Sequence, residues 1–398
     1  MLQRTDWAEE FAEAFASLPL VREWVFHAPS RMDRGIEKEV CDLLVSLRGD
    51  ALLLQMKCQE DPGSRSDAKL ASWVLKHADG ALSQIKGAIR SVRTDVVCCD
   101  HPRRGKVSFN VGELRPVYGI VLVENWGDRV ALPTDFPLAH DGVPIAYFSV
   151  NDFLNVINEL RAFPEILAYL QRRQALPEEP LRAVGGESVL FLHYLQHGYT
   201  FDGWITFEDA ARETDRVSDP RAVILAARAG EEGAYLLEAV ADALATRAAD
   251  YLDGIPPDLA ERFDAPTRRE NYLRMQENIC DLLLRERKLL GQQFWKVIHG
   301  LPSGSSPDMT FAPAYVDYKP DFLYIFAATR GIDRPVLLKR GIDALQCGLA
   351  YFGKSTGMFV ADRGGEGYEV VYLSGLRPTD EACAAGQKLF GHLKIFNY

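Results

Sequence analysis

The sequence predicts an α/β protein in three parts: an N-terminal unit of element order αβββαβ over residues 1–172, a helical middle region over 173–265, and a C-terminal mixed α/β domain over 266–398. Three observations predict it. Two apolar runs, EVCDLLVSL and ALLLQMKCQ, flank Arg48-Gly49-Asp50 and read as a β-hairpin. The stretch KLASWVLKHADGALSQIKGAIRSVR has helical periodicity and precedes two buried-strand runs, GIVLVEN and IAYFSV. From 175 to 265 strand signals give way to Ala, Leu, Arg and Glu, and strands return only after breaks at DGIPPD and FDAP.

In chain order, Trp7, Phe11, Ala14, Phe15 and Leu18 recur at the three-and-four spacing of an amphipathic helix, with Glu9, Glu10 and Glu13 on or beside its polar side. EWVFHA is a short strand ahead of the hairpin. The polar segment EDPGSRSD leads into the long helix, which contains Gly80 and Gly87, and a basic loop follows at 101–106. NDFLNVINELRAFPEILAYLQRR reads as helix, capped by Asn151 or Asp152. The last unit opens with a charged helix, RRENYLRMQENICDLLLRERKLL, and a Gly/Ser/Pro loop, LPSGSSPDM. The strand DFLYIFAA, a helix near 335–352, and the strands GMFVAD and YEVVYLSG around Arg363-Gly364-Gly365 complete it.

Composition excludes several classes. With 47% apolar and 25% charged residues, and no apolar run near the roughly 20 residues of a membrane span, no membrane partner is expected. The N-terminal stretch MLQRTDWAEEFAEAF has acids where a signal peptide needs cations, so a cytoplasmic location is expected. Seven irregularly spaced cysteines read as reduced thiols. A net charge of -11 argues against a protein that coats nucleic acid. The segment from Lys57 to Lys106 departs from that balance, with ten Lys and Arg against six Asp and Glu.

Alternate residues of a strand share a face. Asp42 therefore lies with Val40 and Leu44, and Gln55 and Lys57 lie with Leu53, on positions a buried strand normally gives to apolar side chains. If the turn aligns those faces, the three polar groups converge. One reading is a cross-strand Asp42–Lys57 ion pair worth about 0.2–1 kcal/mol. The other is a divalent cation, Mg²⁺ or Mn²⁺, held by the Asp42 carboxylate and the Gln55 carbonyl, with the Lys57 ammonium orienting or deprotonating water. Glu13, or Glu9 or Glu10, would complete the metal shell.

On these residues the segment from 5 to 165 resembles the PD-(D/E)XK nuclease superfamily, also called the restriction-endonuclease-like fold. The family pattern is an acid on one strand, acid-x-Lys on the next, a preceding helix bearing Glu and a following helix; here it reads Asp42, then Gln55-Met56-Lys57, in the QxK variant. No Pro precedes Asp42, and Gln84 looks like the glutamine that RecB-type members carry on the following helix. The resemblance implies a Mg²⁺- or Mn²⁺-dependent DNA nuclease serving restriction or defence, with RNA as the other substrate. Lys69, Lys76, Lys86, Arg90 and Arg93, with Arg103 and Arg104 beyond, would track the phosphate backbone. The alternative is a non-catalytic scaffold that keeps the nuclease-like fold and binds a protein partner or a second copy of itself.

Three other features read as structural. Cys98-Cys99-Asp100-His101 has no second Cys/His pair at zinc spacing and reads as buried thiols beside a histidine. GLPSGSSPD lacks the Gly-Lys-Ser/Thr of a phosphate loop. Lys319-Pro320-Asp321, with Lys339 further on, echoes the first motif, yet Lys339 opens a helix.

Overall fold

The computed structural model describes residues 7–58, 66–124, 130–183, 186–202, 206, 208–209, 211–212, 219–246, 255, 261–301, 308–316, 319–375, 379–392 and 396–397. The chain is mixed α/β and divides into two compact units, Met1–Ala229 and Gly230–Tyr398.

The first unit contains, in order, α1 (Trp7–Ala16), β1 (Val25–Asp33), β2 (Ile36–Glu39), β3 (Leu43–Leu47), β4 (Asp50–Lys57), α2 (Asp67–Thr94), β5 (Val97–His101), β6 (Gly105–Phe109), β7 (Arg115–Val123), β8 (Ala139–His140) and β9 (Val143–Phe148). Five helices follow: α3 (Val150–Leu160), α4 (Phe163–Gln174), α5 (Glu178–Arg182), α6 (Gly186–Gln196) and α7 (Pro220–Arg228). The sheet order is β6-β5-β1-β3-β4-β7-β9-β8, with β2 paired to β1 outside that path.

The predicted hairpin forms β3 and β4, registered from Leu43↔Leu54 to Leu47↔Asp50. Its two-residue turn places Arg48 (φ 54°) and Gly49 (φ 82°) both in the left-handed region, a geometry whose twist matches that of the strands. From β4 the chain crosses through α2 to β7, which pairs parallel to β4. The predicted order αβββαβ is thus carried by α1, β1, β3, β4, α2 and β7. β2, β5 and β6 are additions to that order; IEKE is exposed throughout and GKVSF has no apolar alternation, so sequence pattern does not mark β2 or β6.

α2 lies on the sheet face of Leu44, Leu53, Val121 and Ile145 and buries Val74, Ala81, Ile85 and Ile89 against it. Gly119 of β7 permits that approach, since an added Cβ would collide with the Ile85 side chain. Alternation sends Phe148 to the opposite face from Ile145 and Tyr147. There it meets Phe153 of α3 at 5.0 Å between ring centroids, and Phe153 meets Phe11 and Phe15 of α1 at 6.1 and 6.3 Å. α1 and α2 therefore cover opposite faces.

The helix expected over 151–173 is two helices. Arg161 adopts φ 60° at the end of α3, and Pro164 supplies the fixed φ of a first helical turn in α4. Ser149, not Asn151 or Asp152, caps α3: its hydroxyl accepts from the Asp152 N–H at 3.0 Å.

The second unit contains α8 (Glu232–Thr246), α9 (Ala265–Cys280), α10 (Leu284–His299), β10 (Asp308–Tyr315), β11 (Phe322–Arg330), α11 (Arg334–Phe352), β12 (Thr356–Asp362), β13 (Tyr368–Ser374), α12 (Asp380–Phe390) and β14 (Phe396–Asn397). Its sheet order is β13-β12-β11-β10-β14. The single charged helix expected over 268–290 is broken at Asp281–Leu283, where the Glu286 carboxylate accepts from the Leu283 N–H at 2.9 Å and starts α10. α8 and α10 cross through Gly233 and Gly291, with a Cβ at Gly291 overlapping the Gly233 carbonyl. Gly291→Ala is expected to destabilise the protein by about 3 kcal/mol, at the upper end of ordinary overpacking, read as a lowered urea midpoint.

All seven cysteines are free thiols. Among the described residues no helix is long and apolar enough to cross a membrane.

Candidate active site

Leu53, Gln55 and Lys57 share the face of β4 that α2 covers, because Leu53 belongs to the core beneath that helix. Asp42 immediately precedes β3, opposite Gln55 when the strand register is continued by one pair. Two bonds fix it: its N–H donates to the Leu54 carbonyl at 3.1 Å, and its carboxylate accepts from the Met56 N–H at 2.6 Å. The connection from β2 into β3 is three residues long, so Glu39 lies close by, anchored through the Val40 N–H to the Pro29 carbonyl at 2.7 Å.

Glu39 is the residue at which the site assembles. Partial burial of its carboxyl group raises its pKa above the ordinary glutamate value; the Asp42 charge and a hydrogen bond between the two carboxyls raise it further, while the Lys57 ammonium draws it back. Asp42 and Lys57 thus both act on one carboxyl group. Glu39 in turn lines a cavity of about 400 Å³ whose walls include Gln55, Gln84 and Arg90. Gln55 is 2% exposed, and its side-chain amide makes no hydrogen bond among the described residues. Asp42 lies across the strand pair from Gln55, and Lys57 lies two residues beyond Gln55 on the same face.

Of the residues expected at the site, Asp42, Gln55 and Lys57 are brought to one place and Glu13 is not. Glu13 is exposed on α1, which packs by Phe11 and Phe15 on the other sheet face. The side chains of Glu9 and Glu10 lie outside the described residues. Glu39 supplies the acid expected from the helix.

The expected phosphate contacts also divide. Lys69, Lys76 and Arg90 are exposed along α2, and the spacing of 3.6 residues per turn puts them within about 60° of one another; Lys86 is half-buried beside them. Arg93 donates to the Asp141 carbonyl at 3.2 Å. Arg103 and Arg104 are a correction. They sit in the β5–β6 turn, where Arg103 pairs with the buried Glu23 carboxylate at 2.5 Å and Arg104 donates to the Glu23 carbonyl while its guanidinium lies 4.8 Å over the Phe26 ring. Their cations neutralise and cap a buried acid instead of facing solvent. Beside them His101 is buried and held down to about 3, first by that burial and then by Arg104. Cys99 is pushed up to about 12 by burial, so this strand carries a protonated Cys99 thiol and a neutral histidine.

Two other motifs resolve as structure or fall outside it. Lys319 donates to the Asn278 carbonyl at 3.0 Å and pairs with Asp281 at 3.4 Å, tying β11 to the end of α9. Lys339 is exposed on α11. Residues 302–307 of GLPSGSSPD lie outside the described residues.

Among the described residues no three His, Cys, Asp or Glu side chains group to hold a metal ion. Two carboxylates and an amide do meet, and hard cations such as Mg²⁺ commonly take one or two carboxylates and complete their shell with water and substrate phosphate. The Asp42 carboxylate opposite the buried Gln55 amide, with Glu39 lining the same cavity as Gln55, offers oxygen donors of that kind. The raised pKa carries a prediction for Glu39→Gln. A carboxyl whose folded pKa exceeds its unfolded value contributes stability that is complete below the ordinary glutamate range and lost as pH rises through the folded value. The variant is therefore expected to melt slightly higher than wild type at pH 7, to lose that advantage at pH 4, and to bind Mn²⁺ at least tenfold more weakly.

No protein-family model matches the chain. No curated protein matches it either. A solved structure aligned to it is the small subunit of the heterodimeric restriction endonuclease R.BspD6I, with 10% identity over 54% of this chain and 96% of that one and a TM-score of 0.21.

Proposed function

We propose that the N-terminal unit is a metal-dependent phosphodiester hydrolase that cuts DNA. The geometry that supports this reading is the placement of Asp42 opposite Gln55 across the hairpin, with Lys57 two residues on along the same strand face and with Gln55 and Glu39 lining one cavity. The connectivity supports it as well, since the hairpin, crossover helix and parallel strand follow the order of the PD-(D/E)XK superfamily that the sequence resembles.

Asp42 and Glu39 would hold the cation through carboxylate oxygens, and the Gln55 carbonyl would be a neutral third donor. A bound Mg²⁺ or Mn²⁺ supplies Lewis-acid polarisation of the phosphoryl oxygen and lowers the pKa of bound water. The Met56 N–H keeps the Asp42 carboxylate oriented on the strand. The Lys57 ammonium orients the attacking water and balances the negative charge that builds on the phosphoryl group. Lys69, Lys76, Lys86 and Arg90 contact backbone phosphates and so position substrate without reading its sequence.

Calorimetric titration with Mn²⁺ tests the metal site. Wild-type protein is expected to bind the ion with an affinity that rises with pH, because Glu39, whose pKa is raised, binds metal as the carboxylate. Asp42→Asn is expected to lose that binding together with cleavage of plasmid DNA. Binding that is indifferent to Asp42→Asn, or absent from wild type, would instead support the non-catalytic scaffold.

A further inference from the structure

The candidate site has a neighbour that its chemistry does not use. β1 runs within the sheet as far as Ser30, pairing with β3 through Val25–His27 and with β5 at His27 and Ser30. The β5 pairing shifts register between His27 and Ser30, and Ala28 adopts φ 43° there. A bulge of this kind bends and re-aims the strand beyond it. From Arg31 onward β1 pairs with β2 alone among the described residues, and all four β2 residues are exposed. The two strands therefore form a hairpin that leaves the sheet beside the cavity.

Its tip is tight, stiff and apolar. Arg34 (φ 52°) and Gly35 (φ 83°) make a two-residue turn with both residues in the left-handed region. Below it Lys38 pairs with Asp33 at 2.5 Å and the Ser30 hydroxyl donates to Glu37 at 2.6 Å, pinning the strands to each other. The root is tied to the end of α2 by an ion pair of 3.4 Å between Arg31 and Asp95. At the tip Met32 is 62% and Ile36 65% exposed, and neither packs on the unit's core. Of the charged side chains on the hairpin, Arg34 at the turn alone engages no partner among the described residues, while Met32, paired with Glu37, and Ile36, paired with Asp33, project from opposite faces of the ribbon. Arg31, Lys38 and Glu39 of the same hairpin line the site cavity.

We propose that the β1–β2 hairpin is a wedge that enters a groove of duplex DNA beside the phosphate to be cut, Met32 and Ile36 parting adjacent base pairs while Arg34 contacts the backbone. This deepens the nuclease reading and rests on it. Methionine and isoleucine are among the side chains that proteins insert between base steps to unstack and kink a duplex. The cost of unstacking falls on the DNA, so the tool must be rigid, and this hairpin is pinned at its tip, its middle and its root. The continuity of the hairpin with the cavity wall brings distorted DNA to Glu39 and Asp42.

The test is the twist of plasmid DNA. A relaxed plasmid is incubated with the full chain in Ca²⁺, which hard oxygen ligands bind without the demands of Mg²⁺, then treated with a topoisomerase, and its linking number is read after protein removal. Wild type is expected to leave the plasmid underwound in proportion to the amount bound. Met32→Ser with Ile36→Ser is expected to abolish that change and slow cleavage in Mg²⁺ about tenfold with an unaltered circular dichroism spectrum. Met32→Leu with Ile36→Leu is expected to retain both. Wild type that cuts DNA without altering linking number, a serine pair that still underwinds it, or a serine pair whose only effect is to break up a self-associated form overturns the wedge and leaves the nuclease reading standing. Wild type that neither binds nor cuts overturns both.

Discussion

On the proposed nuclease reading, Lys57→Met is expected to lower metal-dependent cleavage of plasmid DNA by about 10²–10⁴-fold, the contribution of a positioned acid–base group, and to leave the fold intact. The physical grounds for both halves are specific. Lys57 ends β4 and is half-buried, and no direct ion pair holds its ammonium among the described residues, so its removal strands no buried partner. Methionine keeps the length of the stem and lacks only the charge. What the variant does lose is the one cation that draws Glu39 downward. Without that cation the Asp42 charge and burial both hold the Glu39 pKa up, so Glu39 keeps its proton to higher pH. Metal binding by the variant is expected to shift to higher pH, while cleavage stays low even at saturating Mn²⁺. Gel analysis of nicked and linear plasmid across a pH series separates the two effects. Cleavage that equals wild type at saturating metal would remove Lys57 from the chemistry.

The parts of this site that the sequence discloses are those set by strand period and turn chemistry. Arg48-Gly49 between two apolar runs specifies the hairpin, and the hairpin places Asp42, Gln55 and Lys57 on one face. Glu39 escapes such reasoning because it ends a strand of four exposed residues with no alternation and reaches Asp42 only through the turn between them. An acid three residues ahead of Asp42 is a visible signal, but its meaning depends on where that turn points. Arg103 and Arg104 fail for the converse reason. A pair of arginines in a polar segment resembles a phosphate contact, and nothing local announces that Glu23, eighty residues earlier, is buried beneath them. The two helices read as continuous, 151–173 and 268–290, keep apolar periodicity across their breaks; the breaks come from one residue at positive φ before a proline and from a capping glutamate.

Arg173→Met destabilises the N-terminal unit by about 3–5 kcal/mol, the cost of removing one partner from a buried ion pair. Arg173, at the end of α4, is 4% exposed and donates from Nε to the Glu187 carboxylate of α6 at 2.7 Å. Its guanidinium lies 4.7 Å over the Phe148 ring, so the same side chain joins the helices to the last long strand of the sheet. Tyr169, fully buried, donates its hydroxyl to the other Glu187 oxygen. A domain boundary expected after residue 172 passes beside this contact, and the compact unit continues to Ala229 instead. Burial raises the Glu187 pKa and Arg173 opposes that rise; with methionine in place the opposition is gone and ionising the buried acid carries its full desolvation cost. The sign of the pH dependence follows. Stability of Arg173→Met is restored below the ordinary glutamate range, where the carboxyl is protonated in both states, and falls as pH rises through its elevated folded value. A second change, Glu187→Leu, removes the stranded charge and is expected to recover most of the loss, because the penalty lies in the unpaired ion rather than in the missing bond. Urea unfolding of the two variants and wild type at pH 5 and pH 8 gives the comparison, and a single variant no less stable at pH 8 than wild type would show that the pair does not hold the helices to the sheet.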